Sequence, residues 1–532
     1  MTLRDRLTRG GLWVFASQLI VQAMSVLVTV ILARYLGATP KDSAILLGKY
    51  FLFTTLAAVL AQLAALGLHV ALPKMIAEVK AVRSGGLERV MANGLAVTLT
   101  SGVVISVGYL LLADTIALQI YGDAELATLL RLSAPAIAFA AVGVFALSVL
   151  QGLQRIREYS LLAIAFSILS VPITWVLVVH HRALLLPSGI VGAAIASIAL
   201  TALQALGVLW VARRAARDEK ARLRVRPDRD GARALLGLST PVFLSTLVVR
   251  GALLYQTSVI FLVLGDLLTG VWKITSAFYR ILLFFPAALA IPMLPAMSEL
   301  YARANPWERR RKVTELLRMT MVIALPASLL AGLGSLYMMD FLFGRTYVSN
   351  ESVYTAFLLS TAAFFDSLTL VILGLLQASG RTRTAFGIDA FQATLLVILT
   401  FALITPGLGL VGASGLGLVG AAVATLASAC GVLLVAVGHL ARRGEVDLGS
   451  VAEFLGVAVV TLGLAGFALV RFLGRPEFPL VAAACVVGLF AVGSRFLRPQ
   501  DRQHLRHVLG FLRLRNDRRV ALAEIPPEPG RR

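Results

Sequence analysis

Acidic residues are scarce: 28 aspartates and glutamates stand against 49 lysines and arginines in 532 residues, a net charge of +21. Charge of either sign is thin as well, at 14% of the chain, whereas soluble domains carry about 25%. Only two cysteines occur, Cys430 and Cys485, both inside apolar runs, so a secreted disulfide scaffold is excluded. The G-x-x-x-x-G-K-[ST] loop of nucleotide hydrolysis and the H-E-x-x-H metal helix are missing, and no cofactor or metal site is expected. The one histidine pair, His180 and His181, ends a span where adjacent side chains point apart. No connecting segment is long enough to fold as a separate catalytic domain.

What fills the chain instead is apolar. Fifty-eight percent of it, about 309 residues spread over the whole length, is hydrophobic, enough for roughly 14 membrane spans of about 20 residues. That distribution excludes a soluble assembly, a disordered chain and a single-pass receptor with a large ectodomain. The runs place fourteen helices at 11–33, 44–72, 91–113, 129–151, 159–180, 189–212, 235–264, 269–296, 315–342, 353–377, 384–406, 415–440, 451–472 and 478–497. The first follows Arg4, Arg6 and Arg9 but is too long for a removable signal peptide and lacks its small-residue cleavage site.

Most of the positive charge lies between spans, on one side. Lys74, Lys80, Arg83 and Arg89 follow the second span, nine Lys/Arg between Arg213 and Arg233 the sixth, and Arg303, Arg309, Arg310, Arg311 and Lys312 the eighth. Arg155 with Arg157, Arg381 with Arg383, Arg442 with Arg443, and the tail complete the set, while 114–128, 265–268 and 407–414 contain none. The asymmetry predicts a plasma (inner) membrane protein with both termini cytoplasmic. The basic excess is thus a topology signal that also attracts anionic lipid, and no nucleic-acid partner is expected.

The chain also matches itself. Tyr35-Leu36-Gly37 reappears as Val263-Leu264-Gly265 and Leu72-Pro73 as Leu294-Pro295. Ile120-Tyr121-Gly122 reappears as Leu342-Phe343-Gly344, and Leu150-Gln151 with Arg155 as Leu376-Gln377 with Arg381. Gly189-Ile190-Val191-Gly192-Ala193-Ala194 returns as Gly417-Leu418-Val419-Gly420-Ala421-Ala422. The shifts run from 222 to 228 residues, in order. Six spans separate the copies, so the halves share one orientation, a parallel repeat of the kind found in transporters. The predicted fold is an all-α polytopic membrane protein with about 14 transmembrane helices: two six-helix bundles related by a parallel repeat, plus two C-terminal helices. Its expected divisions are 1–212 and 235–440 for the bundles, 213–234 for a basic cytoplasmic linker, 451–497 for the added helices and 498–532 for a basic cytoplasmic tail.

Ionisable residues inside spans are the informative minority, because each costs about 2.5–3.5 kcal/mol at a helix centre. Arg250 lies mid-way along the seventh span and Arg280 near mid-depth in the eighth, with Lys273 seven residues before it on the same helix face. Three cations on consecutive helices predict a cationic cavity in the second half, suited to phosphate or pyrophosphate. Gln22, Gln62 and, nearer the outer side, Lys49 are the polar contribution of the first half. The bland alternative is that Arg250 or Arg280 only pairs with Asp366, near mid-depth in the tenth span. Asp366 is either that counter-ion or a coupling site for H+ or Na+, and Asp389, a turn into the eleventh span, stands in the same class. Pro135, Pro172, Pro241, Pro286, Pro292 and Pro326 lie within spans and read mostly as static bends.

Several of these segments resemble a known family. Leu32-Ala33-Arg34-Tyr35-Leu36-Gly37, Gly48-Lys49-Tyr50, Leu66-Gly67-Leu68, Leu150-Gln151-Gly152 and Leu342-Phe343-Gly344 with Tyr347 are similar to polysaccharide and oligosaccharide flippases. Those belong to the multidrug/oligosaccharidyl-lipid/polysaccharide exporter superfamily, and the likeness covers the first twelve spans. One departure is Ala38–Leu47, longer than the short acidic turn common there. The resemblance implies alternating-access flipping of a prenyl-pyrophosphate-linked oligosaccharide for cell-surface polysaccharide synthesis. It implies as partners lipid-linked oligosaccharide, membrane lipids and the polymerase or glycosyltransferase machinery. A cation-coupled multidrug exporter of the same fold is the alternative, though its cavity would be acidic. Lipid II flippases place an arginine inside the first span, whereas Arg34 stands only at its outer end. A membrane glycosyltransferase would need an outer catalytic loop that the sequence lacks.

Overall fold

A computed structural model of the chain describes residues 3–82, 86–219, 221, 228–303, 305–405 and 415–496. The expected tail 498–532, the loop 407–414 and most of 220–227 in the linker lie outside the described residues, as do the side chains of Arg4, Arg6, Arg9, Pro241 and Pro292. Among the described residues every regular element is helical. Seven helices form the first half: α1 (Leu3–Tyr35), α2 (Pro40–Ala64), α3 (Leu68–Val82), α4 (Leu87–Thr115), α5 (Ala124–Gly152), α6 (Ile156–Val179) and α7 (Gly189–Asp218). Six form the second: α8 (Arg229–Val259), α9 (Gly265–Arg303), α10 (Pro306–Phe343), α11 (Asn350–Ala378), α12 (Thr382–Ile404) and α13 (Gly417–Arg442). The appended pair is α14 (Leu448–Phe472) and α15 (Phe478–Phe496). Twelve segments among the described residues are long and apolar enough to cross a membrane, two of which, Pro40–Lys80 and Val242–Leu283, run through two consecutive α-helices.

Each predicted span coincides with a helix, and the second with two. The apolar run 44–72 breaks between α2 and α3, where Leu66 and Gly67 take φ of 47° and 73°. The break is tight: a Cβ on Gly67 would stand 2.7 Å from the Ser239 carbonyl oxygen of α8, so this left-handed position needs glycine for both conformation and space. The stretch 38–47 is not an extended turn. Thr39 caps α2 through the Asp42 amide at 3.2 Å while the Asp42 carboxylate accepts from the Thr39 amide at 3.1 Å, and Pro40 occupies the first helical turn. That capping box starts the helix four residues before the apolar pattern does. The prolines are accommodated, since α5, α6 and α10 run unbroken through Pro135, Pro172 and Pro326.

Packing repeats with the sequence. In the first half α5 packs on α4, α7 and α2, while α6 bridges α1 and α7. In the second, α11 packs on α10, α13 and α9, while α12 bridges α8 and α13. The most buried element is α11, including Phe364, Leu368, Val371 and Ile372, and α14 and α15 lean on α10 outside it.

Each half is also clamped at its basic end. Arg155, after α5, donates to Asp218 at 2.9 Å, and Lys80 at the end of α3 to Glu219 at 2.6 Å. In the second half Arg381 meets Glu445 at 2.7 Å, and the Tyr301 hydroxyl at the end of α9 donates to the same carboxylate at 2.9 Å. In the first half two adjacent acids at the end of α7 each tie one other helix end, whereas in the second the single carboxylate of Glu445, after α13, ties two. Burial separates them: Glu445 is 7% exposed and Glu219 30%. Glu445→Ala is therefore expected to cost about 2–4 kcal/mol, somewhat less than a fully buried pair because Arg381 keeps some solvent. Glu219→Ala should cost under about 1 kcal/mol. Thermal unfolding in detergent checks the contrast, and equal shifts would refute it.

Candidate functional site

The two halves meet most closely where α2 crosses α9. Gly48 and Gly270 stand at the crossing, and they are 222 residues apart, the shift of the internal repeat. A Cβ on Gly48 would lie 1.9 Å from the Asp266 carbonyl oxygen, and one on Gly270 2.1 Å from that of Ala44. Ala44 and Asp266 are again 222 apart. Equivalent backbone segments therefore touch about a local twofold, and only glycine lets them come so near.

One turn further along both helices the equivalent positions carry unlike residues: Phe51 on α2 and Lys273 on α9. The Lys273 Nζ lies 4.7 Å from the Phe51 ring centre, and the Arg280 guanidinium carbon 5.8 Å from the same ring. Arg280 also donates to Ser276 Oγ at 3.1 Å, one turn back on α9. Arg250 of α8 lies within electrostatic range of Arg280, and Arg280 of Lys273. None of the three has a carboxylate partner among the described residues. Lys273 and Arg280 face the seam between the halves, because the ring they share belongs to the other half, and Arg250 lies within electrostatic range of His69 of that half.

The remaining expected residues separate. Lys49 is not a free cation: it pairs with Asp123 at 2.9 Å and Glu125 at 2.8 Å, and its side chain is 13% exposed. Those partners lie 74 and 76 residues away, where the loop enters α5. Burial would raise the Asp123 carboxyl, but Lys49 and the amides of Leu126 and Glu125 outweigh it and hold it below the ordinary 3.8. Gln22 and Gln62 are half-buried in α1 and α2.

Asp366, 5% exposed, pairs with neither arginine. The Tyr279 hydroxyl of α9 donates to one of its oxygens at 2.5 Å and Gln392 Nε2 of α12 to the other at 2.8 Å. Both donors are neutral, so Asp366 is not the counter-ion of the cationic group. Asp389 likewise accepts from a neutral donor, the Ser245 hydroxyl of α8.

Phe51, Tyr279, Gln392 and His69 were not singled out in the sequence. An aromatic in an apolar run carries no mark of special use. His69 did carry one, as an ionisable group inside a span: it sits just past the α2–α3 break, its Nδ1 buried without a hydrogen-bond partner, within electrostatic range of Arg250.

At the face opposite the basic loops the halves are joined by hydrogen bonds. Arg34 donates to the Phe341 and Leu342 carbonyls at the end of α10, at 2.5 and 2.8 Å. The Tyr347 hydroxyl donates to the Ala33 carbonyl at 3.0 Å, and Tyr121 and Ser258 share a bond of 2.7 Å. Toward the basic end Asn93 of α4 accepts from the Asp228 amide, which precedes α8, at 2.7 Å.

Residues 7–301 match the sequence model of a family described as polysaccharide biosynthesis protein. No curated protein sequence matches the chain. Among solved structures, an inward-facing multidrug resistance MATE family transporter of the MOP superfamily is similar with a TM-score of 0.65 at 17% identity, covering 81% of this chain and 98% of that one. An outward-facing structure of such a transporter gives 0.60 at 16% identity, covering 82% and 96%. A MOP superfamily transporter from Pyrococcus furiosus Vc1 (DSM3638), described for the reverse polarity of its binding pocket, gives 0.61 at 16% identity, covering 82% and 95%.

Proposed function

Because the chain belongs to the polysaccharide biosynthesis protein family, with the fold of MATE transporters of the MOP superfamily, we propose that it flips a prenyl-pyrophosphate-linked oligosaccharide from the cytoplasmic to the outer leaflet. The observation that carries this reading is the group of Arg250, Lys273 and Arg280, which face the other half with no carboxylate partner among the described residues. Unpaired cations at mid-depth are costly, and an anionic head group is the partner that offsets the cost. Arg supplies a planar fork of donors and Lys a compact charge, which together suit a pyrophosphate. Sugars occupy the seam near Gln22 and Gln62, and the prenyl tail stays in lipid.

The basic loops face the cytoplasm in this reading, and 1–212 and 235–440 are the two moving bodies. The bonds of Arg34, Tyr347 and Tyr121 then close the outer side, which supports reading this arrangement as the one that loads from the cytoplasm. Outward rocking breaks them and frees the product for the polymer-synthesis machinery. Asp366, held by two neutral donors, is the candidate site for H+ or Na+ coupling.

The alternative is export of organic cations, favoured by the MATE-like fold. Against it stands the sign of the charge facing the seam. Lipid II is disfavoured because Arg34 is spent on the α10 carbonyls. Deletion of the gene should make a lipid-linked oligosaccharide accumulate in the cytoplasmic leaflet, read by lipid extraction and mass spectrometry. Unchanged lipid-linked sugars with increased drug sensitivity would overturn the proposal.

A further inference from the structure

We propose that Phe51 is a positioning residue for the anionic head group: a neutral ring, supplied by the first half, that seats Lys273 and Arg280 of the second. This rests on the pyrophosphate reading above and adds a residue to it. Lys273 and Arg280 repel each other, and among the described residues no carboxylate pairs with either. The face of an aromatic ring attracts a cation without cancelling its charge. A carboxylate in the same place would hold the two side chains equally well and would compete with the substrate's phosphates. A ring orients them and leaves the full positive charge for the ligand.

The placement has a second effect. Phe51 and Lys273 are equivalent positions of the repeat, one turn from the Gly48–Gly270 crossing, so the seat exists only while α2 and α9 touch. When the halves part on the outer side, the ring leaves and the cations lose their common orientation. The head group is then bound more tightly in the outer-closed state than in the outer-open one. A ligand shifts a conformational equilibrium only through such a difference. The asymmetry between the copies, aromatic in one and cationic in the other, supplies it.

The test uses the purified full-length protein in detergent, with inorganic pyrophosphate and farnesyl pyrophosphate as probes in titration calorimetry. Phe51→Leu should weaken binding of both by about threefold to thirtyfold, while Phe51→Tyr, which keeps the ring, stays within about twofold of the native protein. In a Lys273→Met background the cost of Phe51→Leu should shrink, a coupling that a purely structural role would not produce. If Phe51→Leu lowers the unfolding temperature, Phe51→Met replaces it under the same expectation. Binding unaltered in Phe51→Leu but lost in Arg280→Leu would overturn the role of the ring and leave the anion site standing. A native protein that binds neither probe would remove the pyrophosphate reading and this inference with it.

Discussion

Arg280→Leu is expected to abolish transport without destabilising the protein. The two effects have separate origins. A charge-assisted hydrogen bond to phosphate contributes about 1.5–3 kcal/mol, so losing the guanidinium should weaken pyrophosphate binding roughly tenfold to 150-fold. No acid depends on Arg280: Asp366 bonds to Tyr279 and Gln392, and the guanidinium's hydrogen bond goes to Ser276. Removing it therefore orphans no buried carboxylate. It instead relieves part of the cost of about 2.5–3.5 kcal/mol of placing a cation at mid-span, less the cation–π contact with Phe51, about 0.5–2 kcal/mol. Complementation of the deletion strain should fail and the unfolding temperature should rise or hold. A variant that still transports, or one that loses activity because it unfolds, would contradict the binding role.

Gly270→Val should cripple the proposed transport through the protein's conformation rather than its chemistry. A Cβ there meets the Ala44 carbonyl oxygen at 2.1 Å and the Gly48 nitrogen at 3.3 Å, so the crossing must widen. Overpacking of this kind costs about 1–3 kcal/mol, and only the state in which α2 and α9 touch bears it. The outer-closed population should fall about fivefold to 150-fold relative to the open one. Spin labels at Lys41 and Asp266 read this directly, as a shift to longer distances. An unchanged distance distribution with native activity would show that the crossing does not control closure.

The spans and the repeat were legible because hydrophobic runs and their order survive in one dimension. The break at Leu66–Gly67 was not: an apolar run has the same hydropathy straight or bent, and only the left-handed backbone at two residues marks the difference. At the site, Arg250, Lys273 and Arg280 stood out because charge in a span is expensive whatever it touches. What each one touches depends on helix rotation, which the sequence does not carry. Lys49 therefore read as a cavity residue although it pairs with acids 74 and 76 positions later, and Asp366 stayed open between a counter-ion for arginine and a coupling site, a choice narrowed only by the tyrosine and glutamine that hold it. Phe51 was invisible for a simpler reason, as one phenylalanine among 26.

The paired clamps at the basic ends bear on how the chain is made. Lys80, Arg155, Asp218 and Glu219 all leave the ribosome before the first residue of α8, so the first half holds everything its own clamp requires while the second is still unsynthesised. The second closes later around Glu445, again from residues of its own. Neither clamp needs a residue of the other half, so each can close on its own before the halves dock along the α2–α9 crossing.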